Sequence, residues 1–157
     1  MSIAEKVVRA LQSRSQTLAT AESCTGGLIA AAITDVPGAS DIFGCGVVSY
    51  SNEIKAKLLQ VPQEILAQFG AVSPETAAAM ARGVQALSGA DWNISVTGIA
   101  GPGGGSATKP VGLVFMACCC GEEVTVEKHV FSGDRTQVRS QTVATALALL
   151  QREIEKK

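Results

Sequence analysis

Short runs of β-branched and small apolar residues alternate along this chain with segments of helical period, and that alternation restricts it to helices packed on a sheet. Ser2-Ile3-Ala4-Glu5 has capping-box spacing, and Ile3, Ala4, Val7, Val8 and Leu11 make an apolar stripe at helical period. The first element is therefore a helix. Thr17 to Ala21 reads as a short buried strand, with a helix from Gly26 to about Thr34 before the turn Val36-Pro37-Gly38. Gly46 to Tyr50 is a second strand, and Ser51-Asn52 caps a helix carrying Ile54, Leu58 and Leu59. Ser73-Pro74-Glu75 starts a helix running to about Leu87, and Trp92 to Val96 is the next strand. Val111 to Cys119 and Val124 to Phe131 form a hairpin, after which Asp134 caps a long helix bearing Val138, Thr142, Leu147, Leu150 and Ile154. The order α, β, α, β, α, α, β, β, β, α predicts helices on both faces of a mixed sheet, in a single domain spanning residues 1–157.

Charge and composition narrow the function classes. Lys and Arg total 13 against 14 for Asp and Glu, which leaves no basic excess to draw in a nucleic acid. The apolar stretches Leu28 to Ile33 and Ala146 to Leu150 fall far short of the roughly 20 residues a bilayer crossing needs. Glu5, Lys6 and Arg9 interrupt any signal-peptide core, so cytoplasmic residence without a membrane partner is the expectation. Cys24, Cys45 and Cys118-Cys119-Cys120 show neither metal-ligand nor disulfide spacing and read as small apolar fillers in a reducing compartment. No metal or cofactor is implied. A 46% apolar and 17% charged composition leaves room for a homo-oligomer.

Polar residues crowd the junctions where strands end. The segment Ala21-Glu22-Ser23-Cys24-Thr25-Gly26-Gly27 puts two hydroxyls, a thiol, a carboxylate and two glycines where a plain turn needs one or two residues. Gly26-Gly27 lets backbone approach closely, and N–H groups at a helix start suit an anion or an oxyanion. Ser23 is a candidate nucleophile, but the single histidine, His129, sits in an alternating strand and is not placed as its base. A lysine can replace histidine when burial or neighbouring cations lower its pKa. Lys55, in the first turn of its helix, is the better candidate, with Tyr50 to relay the proton or position the substrate. A plainer reading, with Lys55 and Lys57 as solvated helix charges and Tyr50 as packing, fits the same residues. Lys109 competes for the base role but suits a lid or phosphate contact. Arg135 can grip a phosphate or carboxylate or pair with Asp134 or Glu22, and Glu22 can hold Lys55 or a ribose hydroxyl. The loop from Thr97 to Pro110, with Gly98, Gly101, Gly103, Gly104 and Gly105, is long for a passive connection, and Thr97 could face the same cleft. If the strand ends share one edge, these junctions meet in one cleft.

Together, Ala21 to Gly27, Val48-Ser49-Tyr50-Ser51-Asn52-Glu53-Ile54-Lys55, Gly70-Ala71-Val72-Ser73-Pro74-Glu75, Val96 to Pro102 and Ser132-Gly133-Asp134-Arg135 resemble the C-terminal domain of the competence/damage-inducible CinA family. That family includes stand-alone nicotinamide-nucleotide amidases. The resemblance covers nearly the whole chain, without the molybdopterin-binding-like module of full-length CinA. It implies a three-layer α/β/α sandwich with a mixed β-sheet. It also implies hydrolysis of the carboxamide of nicotinamide mononucleotide by Ser23, Tyr50 and Lys55 to nicotinate mononucleotide and ammonia. Glu22, Thr25, Gly26, Gly27, Thr97, Gly98, Gly101, Lys109 and Arg135 are assigned to substrate or oxyanion binding, with Arg135 chosen for the phosphate. Where the family usually reads GGSEEKPVG, this chain has Gly104-Gly105-Ser106-Ala107-Thr108-Lys109-Pro110-Val111-Gly112, so two acids are missing. The alternatives are a nucleotide-binding regulatory module without turnover and an amidase that uses Cys24.

Overall fold

A computed structural model describes residues Met1–Lys157 as a mixed five-stranded sheet between two helical layers. The strands are β1 (Leu18–Glu22), β2 (Phe43–Val48), β3 (Trp92–Gly98), β4 (Leu113–Cys120) and β5 (Glu123–Val130), in the spatial order β2-β1-β3-β4-β5. β1 pairs in parallel with both β2 and β3, whereas β4 is antiparallel to β3 and to β5. Strands β1, β2, β3 and β5 thus run in one direction and end on the same edge of the sheet. All four polar junctions of the sequence lie along that edge.

One helical layer holds α1 (Ile3–Arg14), α2 (Leu28–Thr34) and α6 (Arg135–Glu155); the other holds α3 (Asn52–Leu59), α4 (Gln63–Phe69) and α5 (Pro74–Ser88). Alternation along the strands sorts their side chains between the layers. Leu18, Ile94, Val96, Val114 and Met116 pack beneath α1, α2 and α6 with Val7, Leu11, Ile29, Ile33, Leu149 and Leu150, in the main core. Ala19 and Ala21 meet Leu59, Met80 and Val84 on the opposite face. That face of β3 is polar yet fully buried, and α5 and its approach satisfy most of it: the Ser95 hydroxyl donates to the Ala77 carbonyl at 2.6 Å and Thr97 donates to Ala71 at 2.8 Å, while the Asn93 Oδ1 has no partner.

The short helix α4 has no counterpart in the sequence reading. It follows Pro62, buries none of its residues fully and has no side-chain N-cap, so it carries little local signal. Strand β2 also begins and ends earlier than the reading placed it, because Phe43 to Val48 pair with β1 while Ser49 and Tyr50 leave the ladder.

The position of α3 depends on Gly83 of α5. An added Cβ at Gly83 would overlap the Leu59 carbonyl oxygen at the C-terminal end of α3. The backbones cross there without a side chain between them. Gly83→Ala is expected to cost at least about 2 kcal/mol, since backbone cannot yield as a flexible side chain does. A lowered urea midpoint at unchanged m-value is the measurement that checks it.

Candidate active site

The turn after β1 is built around Glu22, whose side chain is 1% exposed. Its carboxylate accepts hydrogen bonds from the Thr25 hydroxyl at 2.5 Å, the Ile29 N–H at 2.8 Å and the Ala30 N–H at 3.0 Å. Helix α2 has Gly27 at its N-cap and no capping side chain there, so a carboxylate from the preceding strand caps it instead. Gly26 (φ 60°) and Gly27 (φ 107°) take left-handed conformations, which explains glycine at both positions. Because Glu22 already occupies the Ile29 and Ala30 amides, the open donors lie earlier in the turn. The Cys24, Thr25 and Gly27 amides donate to no backbone carbonyl, whereas the Gly26 amide bonds the Ser23 carbonyl at 3.1 Å.

Ser23 follows the last residue of β1, and its own N–H donates to Val96 of β3 at 3.1 Å. Its hydroxyl meets the Lys55 Nζ at 2.9 Å. Lys55 is 1% exposed and also donates to the backbone carbonyls of Ser49 at 2.8 Å and Tyr50 at 3.1 Å. None of the chain's ion pairs involves it. Burial lowers its pKa to about 8. As an ammonium it donates to all three neighbours. As a neutral amine it can keep both carbonyl contacts and turn its lone pair toward the Ser23 hydroxyl. The same loop leaves a second hydroxyl, that of Ser49, buried without a partner.

Tyr50 is 61% exposed, and its hydroxyl accepts from Arg135 Nη2 at 3.1 Å rather than reaching Ser23. Arg135 Nη1 donates to the Gly101 carbonyl at 2.7 Å, so one guanidinium ties the glycine loop to the β2–α3 junction. A cavity of about 490 Å³ adjoins it, lined by Ala100, Pro102, Val111, Gly133, Asp134 and Thr136. Asp134 itself caps α6 through the Gln137 N–H, and Arg135 pairs with neither Asp134 nor Glu22.

Several residues expected in the cleft are committed elsewhere. Lys109 donates to the Phe69 carbonyl at 2.6 Å and fastens the glycine loop to the end of α4. Its long side chain satisfies a helix C-terminus, a use that residue type alone does not announce. Thr97 turns its hydroxyl to Ala71, and Gly98 is the last residue of β3, opposite Val114. Glu22 holds the turn rather than Lys55 or an exposed ligand. The Cys24 thiol is buried and its pKa is pushed up to about 11 by that burial, which keeps it protonated at neutral pH. The altered pair Ala107-Thr108 forms the exposed tip of a turn closed by Ser106 and Lys109.

Arg139 was not singled out by the sequence reading. From α6 its Nε donates to the Cys24 carbonyl and its Nη2 to the Thr25 carbonyl, both at 3.1 Å. The available signal was its position four residues after Arg135, which puts both guanidinium groups on one helix face.

An α/β/α domain with a buried lysine against a serine hydroxyl at the carboxyl edge of its sheet is the class that fold and site define together. The chain belongs to the CinA C-terminal domain family, whose profile matches residues 1–154. A putative competence-damage inducible protein of Thermoanaerobacter sp. (strain X514) is 53% identical over 148 residues, 94% of this chain and 36% of that protein. A CinA-like protein of Endomicrobium trichonymphae is 52% identical over 98% of this chain and 36% of its own length. The chain thus spans little more than a third of these curated relatives. Among solved structures, a CinA superfamily protein from Klebsiella pneumoniae superposes with a TM-score of 0.95 at 37% identity, covering 99% of this chain and 97% of that one. A competence/damage inducible protein from Agrobacterium tumefaciens gives 0.94 at 42% identity, over 98% and 93% of the two chains. No helix is long and apolar enough to cross a membrane.

Proposed function

We propose that this domain hydrolyses the carboxamide of nicotinamide mononucleotide through Ser23, with Lys55 as the base. The observation that carries the reading is the 2.9 Å contact between a buried, unpaired lysine and the Ser23 hydroxyl. Neutral Lys55 takes the hydroxyl proton as Oγ attacks the amide carbon. The Lys55 ammonium then protonates the departing nitrogen, ammonia leaves, and a nicotinoyl ester remains on Ser23. Water attacks that ester, giving its proton to Lys55, and the carboxylate product is released as Oγ recovers a proton.

The direct contact makes a relay through Tyr50 unnecessary. Its exposed ring and its hydroxyl, next to Arg135, better suit the substrate side, where the pyridinium ring and phosphate have to be held. For Arg135 to grip a phosphate it gives up Gly101 or Tyr50, so binding and loop position are coupled in this reading. Ala107 and Thr108, which stand where the family carries an acidic pair, form an exposed tip, whereas Lys55 and Ser23 are buried, which favours retained chemistry over a binding module without turnover. Incubation of the purified domain with nicotinamide mononucleotide is expected to release one ammonia per nicotinate mononucleotide formed. Tight binding of the nucleotide with no ammonia would instead establish the regulatory module.

A further inference from the structure

We infer that Arg139 is a positioning residue, which presets the backbone donor that receives the oxyanion formed at Ser23. The inference rests on the reading of Ser23 as nucleophile. In a trans peptide the carbonyl and the N–H of one unit point in opposite directions. Arg139 holds the Cys24 carbonyl toward α6, on the α1/α2/α6 side of the sheet. The Thr25 N–H, on the same peptide unit, is thereby turned away from α6. Helix α3, which carries Lys55, packs on the other face of the sheet from α6, so in this inference the N–H is directed to the Lys55 side.

The next peptide unit obeys the same rule and supports the orientation. Its carbonyl, that of Thr25, is held by the other arm of the guanidinium, and its N–H, that of Gly26, points the opposite way to meet the Ser23 carbonyl at 3.1 Å. Glu22 takes the Thr25 hydroxyl and not the Thr25 amide, so that N–H is buried in the turn without an acceptor. A cation on the Cys24 carbonyl also polarises the peptide unit and makes its N–H a stronger donor.

The test compares the wild-type protein with Arg139→Ala and Arg139→Lys in two assays. One is ammonia release from nicotinamide mononucleotide. The other is the rate at which a fluorophosphonate labels Ser23 across pH. Labelling forms the Oγ–P bond, breaks P–F, expels fluoride and passes the hydroxyl proton to Lys55, while the phosphoryl oxygen uses the same donor as the amide oxyanion. In Arg139→Ala the plateau rate is expected to fall about 100-fold, the loss typical of one oxyanion donor. The midpoint near pH 8 stays, since Lys55 sets it. The Lys variant is expected to lose less, KM to change little, and added guanidinium ion to restore part of the Ala variant's rate.

An unchanged plateau, a wild-type Ser23 that does not label, or losses that track melting temperature in both variants without guanidinium rescue would overturn the inference. If Arg139→Ala does not fold, Arg139→Lys decides by the same criteria. Wild-type labelling at Ser23 without ammonia release would sink the nucleotide-amidase reading, and the labelling rates would still judge Arg139. Ammonia release at equal kcat in wild type and variants would do the reverse.

Discussion

Ser23→Ala is expected to reduce ammonia release from nicotinamide mononucleotide by at least about 10⁴-fold while the fold persists. The hydroxyl's only hydrogen-bond partner is Lys55, so its removal takes away the attacking atom while Lys55 keeps the carbonyls of Ser49 and Tyr50. Near-native melting temperature and far-UV circular dichroism would show that the loss is chemical. Cys24→Ala is the matched control. Its thiol is buried and held protonated, with a pKa pushed up to about 11, so that variant is expected to keep most of its activity. Activity that survives Ser23→Ala and disappears in Cys24→Ala would reverse the assignment in favour of a cysteine amidase.

The second large effect concerns Lys55. With a pKa lowered to about 8, roughly a tenth of the molecules carry the neutral amine at pH 7. The rate at low substrate is therefore expected to rise tenfold per pH unit below 8 and to level off above it. Lys55→Met removes the base and is expected to cost about 10³-fold and to abolish that rise. A flat wild-type profile between pH 6 and 8, or a methionine variant with the same profile, would exclude Lys55 as the base.

The same shift acts on stability with a definite sign. Between about pH 8 and 10 the unfolded chain keeps its Lys55 proton while the folded chain has released it, so the unfolded state binds more protons. This group's contribution therefore makes the protein more stable as pH rises through that window. Below pH 8 both states are protonated, and burying the ammonium is a constant cost that the carbonyls of Ser49 and Tyr50 offset in part.

Much of this site was legible from residue types because its parts lie at strand ends, where polar residues and glycines have no packing reason to gather. Ser23 stood out through its neighbours, and Lys55 through the lack of a usable histidine. Arg139 did not, because an arginine four residues after another on a polar helix face looks the same whether it is solvated or clamps two carbonyls. Lys109 poses the converse problem: its charge suggests a ligand, and only the packing of the glycine loop on α4 gives it the Phe69 carbonyl as a partner. Helix α4 escaped notice because it buries no residue fully and lacks a side-chain cap.

Local chemistry along the chain determined the α/β class, the capped helices and the hairpin, since periodicity, capping groups and turn glycines act over a few residues. Tertiary structure alone decided that β1, β2, β3 and β5 end on one edge, and that a lysine 32 residues away from a serine loses its water and meets that hydroxyl. Burial and through-space contact arise from the packed whole, and no stretch of sequence contains the distances that set them.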